Sequence, residues 1–425
     1  MIKLSNLGLL KTALILSMIF AAFLSACGGG GGGGVTTTGP AILNLSNFQS
    51  AAVEIGQINF TSASSVPAAA NTVRYPYGNA VTNGNVLYLP DYGNNRVLGF
   101  NSIPTANNAS ANFVLGQPDF VTTTAGTAAN QMNGPETVVI DAGKLLVDEY
   151  TNNRILIWNS VPTTTDAPAD LVVGQAAFGT STSGCSQAGL FYPESMTAGG
   201  KLIVADSMNN RILIWNSIPA SNGVPADLVL GQSGFIKCAA NDDAQTGTAG
   251  TAPTARTLNY PSGIWSDGTR LVVADANNNR VLIWNTFPTA NFTPANVVLG
   301  QGDFTHFAAN DDAQTGTAGT APTARTLNFP YHLASNGVQL FLTDNSNNRV
   351  LVWNSIPTAS FTPAAAVLGQ GDFTHFAAND DAQTGTAGTA PTARTLSSPS
   401  GLYAVGTQLF VADASNNRWL IFNAP

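Results

Sequence analysis

Glu136 and Glu194 are two of only four glutamates in the chain, and each directly follows a proline that opens an apolar segment. His332 stands two residues after the equivalent Pro330, and Asn79 three after Pro76. If those prolines open equivalent strands, the four side chains approach one another from neighbouring segments. Carboxylates with an amide oxygen suit calcium, a hard cation that takes oxygen ligands. Adding the imidazole suits zinc. The plainer expectation for Glu136 and Glu194 is a solvated rim. His306 and His375 lie in duplicated stretches away from this set. Other chemistry has little to rest on. No Gly-x-Ser-x-Gly elbow occurs, and the glycine run Gly28–Gly34 lacks the Lys-Ser/Thr of a phosphate loop. Six acid–arginine pairs recur, from Asp91 and Arg96 to Asp413 and Arg418, but six equivalent copies fit scaffolding better than catalysis.

The elements that would position these residues are β-strands. The chain has 425 residues, 44% hydrophobic but only 9% charged. About 25% charged is usual, so a helical bundle or coiled coil is excluded. Net charge is −8, so nucleic acid is not an expected partner, because phosphate binding needs clustered Lys and Arg. One line recurs six times, as in Asp275-Ala-Asn-Asn-Asn-Arg280-Val-Leu-Ile-Trp-Asn285, with the arginines at 96, 154, 211, 280, 349 and 418. Each copy follows a proline-led segment and a strand such as Leu271-Val-Val-Ala-Asp275. The Asn pair suits a tight turn, since Asn tolerates left-handed dihedrals. A fourth strand ends in Gly-Gln, as in Val297-Val-Leu-Gly-Gln301. Four antiparallel strands per unit, repeated six times, predict an all-β six-bladed β-propeller. The last unit lacks its fourth strand, while Val53-Glu-Ile-Gly-Gln57 precedes the first unit. The N-terminal segment is therefore expected to pair with the last blade and close the ring, removing an open edge.

The Pro-x-Gly-Ile and Leu-x-Val-Ala-Asp-x-x-Asn-x-Arg lines resemble the NHL repeat over residues 45–425. In such propellers the proline-led strand lines the central channel, so the resemblance implies a channel-mouth position for Asn79, Glu136, Glu194 and His332. Related six-bladed propellers include calcium-dependent lactonases and histidine-bound zinc lyases. The zinc pattern needs several channel histidines, and this chain offers only His332. A calcium-dependent lactonase- or hydrolase-like enzyme, or a metal-dependent lyase-like one, is kept as the alternative function.

Residues 1–26 carry Lys3 and Lys11, then an apolar run ending Leu24-Ser25-Ala26, which reads as a signal peptide. With Cys27 this resembles the bacterial lipobox, implying lipidation at Cys27. Residues 27–44 then form a glycine-rich tether. Gly28 in place of Asp after the lipidated residue favours the outer membrane or cell surface over inner-membrane retention. Cys185 and Cys238 remain as an even pair and are expected to form a disulfide in an oxidising compartment. Cys238 takes the place of Phe307 and Phe376, a position expected to turn inward. The segment Ala239–Leu258 recurs letter for letter at Ala308–Leu327 and Ala377–Leu396, and these loops are expected to crown one face. Asp311-Asp312 and its copies offer a possible calcium contact, without a full EF-hand ligand set. The leading expectation is a monomeric, lipid-anchored scaffold in the cell envelope that binds a protein or glycan through its loop-bearing face.

Overall fold

The computed structural model describes residues 42–424. Cys27, the signal peptide and most of the tether lie outside the described residues. The strands form six four-stranded antiparallel sheets. The first blade holds β2 (Val81–Thr82), β3 (Leu87–Asp91), β4 (Arg96–Phe100) and β5 (Phe113–Leu115). The second holds β6 (Pro135–Asp141), β7 (Lys144–Glu149), β8 (Arg154–Trp158) and β9 (Leu171–Val173). The third holds β10 (Pro193–Ala198), β11 (Lys201–Asp206), β12 (Arg211–Trp215) and β13 (Leu228–Leu230). The fourth holds β14 (Pro261–Ser266), β15 (Leu271–Asp275), β16 (Arg280–Trp284) and β17 (Val297–Leu299). The fifth holds β18 (Pro330–Ser335), β19 (Leu340–Asp344), β20 (Arg349–Trp353) and β21 (Ala366–Leu368). The sixth holds β22 (Pro399–Val405), β23 (Gln408–Asp413), β24 (Arg418–Asn423) and, from the far end of the chain, β1 (Val53–Ile55).

The ring therefore closes as the repeat count requires. Val53, Glu54 and Ile55 pair with Ile421, Leu420 and Trp419. Gln57 repeats what its counterparts do elsewhere: its amide donates to Asn417 O and Ser64 O, as Gln301 donates to Asn279 O and Ala308 O. One boundary shifts. Leu43 is buried, and its backbone exchanges two hydrogen bonds with the Gln339 side chain, so the packed chain begins before residue 45.

The core is six apolar layers, each between two neighbouring blades. Val272, Val281 and Ile283 of the fourth blade, for example, meet Leu333, Leu342 and Leu351 of the fifth. Both faces of each blade are thus covered, which is why the third strands read as unbroken apolar runs. Trp158, Trp215, Trp284 and Trp353 are buried, and each indole N–H donates to a backbone carbonyl nine residues on.

The repeated polar residues hold the blades together. Arg280 donates to Asp275 at 2.7 Å and to the carbonyls of Phe304, Thr254 and Thr257. Asp275 also accepts from the backbone N–H of Asn259 and from Asn278. Both members are fully buried, so each group must be satisfied in this way. The other five pairs are buried alike.

The second Asn of each turn does a separate job. Asn279 adopts a left-handed φ of 52°, and its side-chain oxygen accepts the backbone N–H of Phe329 in the next blade. Asn95, Asn153, Asn210, Asn348 and Asn417 reach Gly134, Tyr192, Tyr260, Ser398 and Tyr75 in the same way. All six blade junctions carry this clasp.

Candidate functional site

The proline-led strands β6, β10, β14, β18 and β22 contact one another in sequence around the axis and line the channel, with β2 against β6. The residue before each proline comes out of the Asn clasp with positive φ: 43° at Tyr75, 59° at Tyr192, 56° at Tyr260 and 55° at Phe329. Bulky residues seldom adopt this conformation. Here the clasp holds it, and it is where the chain turns from the connecting loop into the channel strand. Gly78 has φ +70°, and a Cβ there would lie 1.9 Å from the carbonyl oxygen of Glu136, so only glycine lets the first two blades approach at that point.

At the end of the channel that carries the turns and the inserted loops, six aromatic rings close a circuit. Centroid separations are 5.1 Å for Tyr77–Tyr92, 6.2 Å for Tyr92–Tyr150, 6.0 Å for Tyr260–Phe329, 5.9 Å for Phe329–Tyr331 and 5.9 Å for Tyr331–Tyr77. The remaining gap is bridged by the Tyr150 and Tyr260 hydroxyls at 2.5 Å. Tyr192 stacks behind Tyr150 at 4.0 Å. The rings enclose a chamber of about 250 Å³, completed by Glu136 and Asn345. Tyr331 donates to Glu136 Oε1 at 2.5 Å, while Oε2 is buried without a partner. Burial pushes the Glu136 carboxyl up to about 8, against the Tyr331 hydrogen bond.

A second chamber of about 220 Å³ opens on the opposite side of the channel. Asn79, Glu194, Ser195 and His332 line it, with Trp265 and Tyr403. The four residues singled out from the sequence therefore do not form one cluster. Glu136 lines the aromatic chamber and the other three line this one, although the Glu194 and Glu136 carboxyls lie close together and both meet the Tyr331 hydroxyl. The strands explain the split. β6 is bulged between Pro135 and Val138, whereas β10 pairs regularly from Pro193 to Ala198. A bulge re-aims the side chains it carries. Asn79 is already engaged, its side-chain oxygen accepting from Val138 N at 2.9 Å. Glu136, Glu194 and His332 are also not rim residues, being only 1%, 2% and 5% exposed. Burial holds His332 down near 4 and Glu194 well above the usual carboxylate range, the latter helped by the nearby charges of Glu136 and Asp148. Among the described residues no group of three His, Cys, Asp or Glu is placed to hold a metal ion.

Asp148 went unremarked in the sequence. It accepts from the Ser195 backbone N–H and from Ser195 Oγ, joining the second blade to the third beneath Glu136. Burial pushes its carboxyl well up. The signal was available, since the residue before the turn acid is Ala205, Ala274 or Ala412 in other blades.

The three inserted loops rise on the same end as the aromatic chamber. Asn241 and Asn278 exchange amide hydrogen bonds, fixing the fourth blade's loop to its own turn, and the sister loops repeat this with Asn310–Asn347 and Asn379–Asn416. Their second halves then run down the seam between blades, where Thr257 bridges Gly231 and Ala255 O accepts from Ala295. Asp311 accepts from the N–H groups of Thr315 and Gly316, and Asp312 pairs with Arg325 and Thr323. These carboxylates brace the loop. Cys185 and Cys238 are joined in a disulfide with Cα atoms 6.3 Å apart, linking the loop before the third blade to that before the fourth. Phe307 and Phe376 do not turn inward at the corresponding position; they are 43% and 41% exposed. Without a partner sulfur there, the ring has no seam to fill.

No known family profile matches the chain, and no curated protein matches it. Solved structures do. The WD40 β-propeller domain of Doa1 aligns over 91% of this chain and 96% of its own, at 9% identity and a TM-score of 0.42. A catalytically inactive virginiamycin B lyase from Staphylococcus aureus with quinupristin aligns over 87% and 98%, at 12% identity and a TM-score of 0.40. The fold assignment rests on the sheet order of the chain itself.

Proposed function

We propose that this protein is an NHL-type binding propeller, anchored by lipid at Cys27 to the outer face of a bacterial envelope, that seats part of a protein or glycan ligand in the aromatic chamber of its loop-bearing face. The observation that carries the reading is the closed circuit of six rings around a buried carboxylate oxygen without a partner. An apolar pocket with a few aimed polar groups is the usual form of a ligand site. The loops flank it and the blades hold it rigid. The metalloenzyme alternative is the weaker reading, because Asn79 and His332 line the opposite chamber from Glu136 and no group of three His, Cys, Asp or Glu among the described residues is placed to hold a metal ion.

The test is a ligand-observed NMR screen of the full chain in non-ionic detergent, against sugars, amino acids, amines and polyols. Binding by at least one class is expected, lost in Tyr150→Ala and kept in Trp265→Ala, a residue that lines the opposite chamber and not the aromatic one. Binding that survives Tyr150→Ala and disappears in Trp265→Ala would contradict the proposal.

A further inference from the structure

The aromatic chamber is electrostatically one-sided. Its lining contains a single ionisable acid, Glu136, and no Lys or Arg. Asp148 and Glu194 add further acid behind it, and their mutual influence with Glu136 is repulsive. Aromatic faces are themselves the negative side of a quadrupole. An anionic ligand is therefore disfavoured throughout. A neutral sugar unit finds few free hydroxyls, since one of Tyr150 and Tyr260 donates to the other and that of Tyr331 is given to Glu136. What remains unmet is the second carboxylate oxygen of Glu136, buried and free.

We infer that the chamber binds an organic cation, an ammonium head whose charge lies against the ring faces and Oε2 of Glu136. The inference rests on the reading of this chamber as the ligand site and names the chemistry of the group it takes. Cation–π contacts strengthen when the cation and ring are desolvated, as they are inside the chamber. The Glu136 carboxyl, held up to about 8 in the empty chamber, ionises against the bound cation and adds to this because the interior screens charge weakly. The ammonium would belong to the end of a larger protein or glycan, because the chamber opens among the loops and holds only a small group.

The experiment titrates the full chain, in non-ionic detergent, with choline chloride and with its neutral isostere 3,3-dimethyl-1-butanol, read by ligand-observed NMR. Choline is expected to bind at least about tenfold more tightly than the alcohol, a difference of about 1.4 kcal/mol. Glu136→Gln should weaken choline by about tenfold or more while leaving the melting temperature close to wild type, because Gln keeps the shape and cannot ionise against the cation. Should Gln at this position disturb folding, Tyr150→Leu provides a second route to the same loss. Equal binding of choline and the alcohol would overturn the inference, as would no choline binding up to roughly 50 mM, far weaker than a built site gives. If those results came with a neutral ligand that binds and is lost in Tyr150→Ala, the cation would be wrong and the chamber would stand. Choline binding unchanged in both Glu136→Gln and Tyr150→Ala would overturn both.

Discussion

Glu54 stands where every other fourth strand places a valine, namely Val114, Val172, Val229, Val298 and Val367. Its side chain is buried, with Oε1 accepting from Gln57 N at 2.5 Å and Oε2 without a partner. Burial pushes its carboxyl up to about 7, against the Gln57 hydrogen bond and the Arg418 charge. The folded state then holds this proton more tightly than the unfolded chain. Stability from Glu54 is fully present below the ordinary carboxylate range and is lost as pH rises through about 7. Glu149, held up near 7, and Glu136, near 8, act in the same direction. The protein should therefore melt higher at pH 5 than at pH 8. Glu54→Val should raise the pH 8 value and flatten the difference, by on the order of 2–3 kcal/mol. An unchanged pH slope in that variant would contradict this account of Glu54. The chamber's residues were partly legible at this scale. Glu136 and Tyr331 appear once the residues after each proline are aligned. Tyr92 and Tyr150 occupy the column after the turn acid, and Tyr260 and Phe329 the column before the proline. The circuit emerges only when three columns are read together, because the ring joins residues from strand starts and turn starts of different blades.

The Asn clasp belongs to the scale of elements. Asn210 orients both its own turn, at a left-handed φ of 54°, and the entry to β14, through the N–H of Tyr260 at 2.9 Å. Asn210→Ala removes the acceptor and leaves a partly buried N–H unmet, at a cost of about 1–3 kcal/mol. It also frees Tyr260 from its strained backbone, so ligand affinity should fall along with melting temperature. Asn216→Ala, which alters only an exposed contact with Lys201, should stay within about 0.5 kcal/mol of wild type. Chemical denaturation of the two variants checks this, and equal stabilities would remove the clasp from the account. Strand order, turn positions and ring closure were legible because period, proline and Gly-Gln recur in register. The bulge in β6 was not. Its sequence Pro135-Glu-Thr-Val-Val-Ile continues the strand pattern, and only the pairing of Pro135 with Glu149 and Val138 with Val147 reveals the one extra residue. That bulge lies at Glu136 and not at Glu194, so the sequence placed both in the channel without showing that they line different chambers.

For the whole molecule, the low charge content is accounted for by use. The six repeated arginines, out of 16 Lys and Arg in all, are buried in blade clasps, leaving a surface of Asn, Thr, Gly and Ala around one apolar-walled mouth. The disulfide spans 53 residues and ties two loops beside that mouth, worth about 4 kcal/mol on the chain-entropy model. Such a bond fits an oxidising compartment, in keeping with the proposed anchor. Cys27→Ser should release the protein from the membrane fraction of the expressing cells, checked by radiolabelled palmitate and fractionation. Label that persists in the variant would move the anchor elsewhere. The central claim is that the aromatic chamber, rather than the loop crown or the opposite chamber, receives the ligand. The most direct measurement is a crystal structure of the full chain purified from its own envelope. The account predicts ordered density of a bound group inside the ring of Tyr77, Tyr92, Tyr150, Tyr260, Phe329 and Tyr331, in contact with Oε2 of Glu136. Water alone in that ring, with the ligand resting on the inserted loops or beside Glu194 and His332, would contradict it.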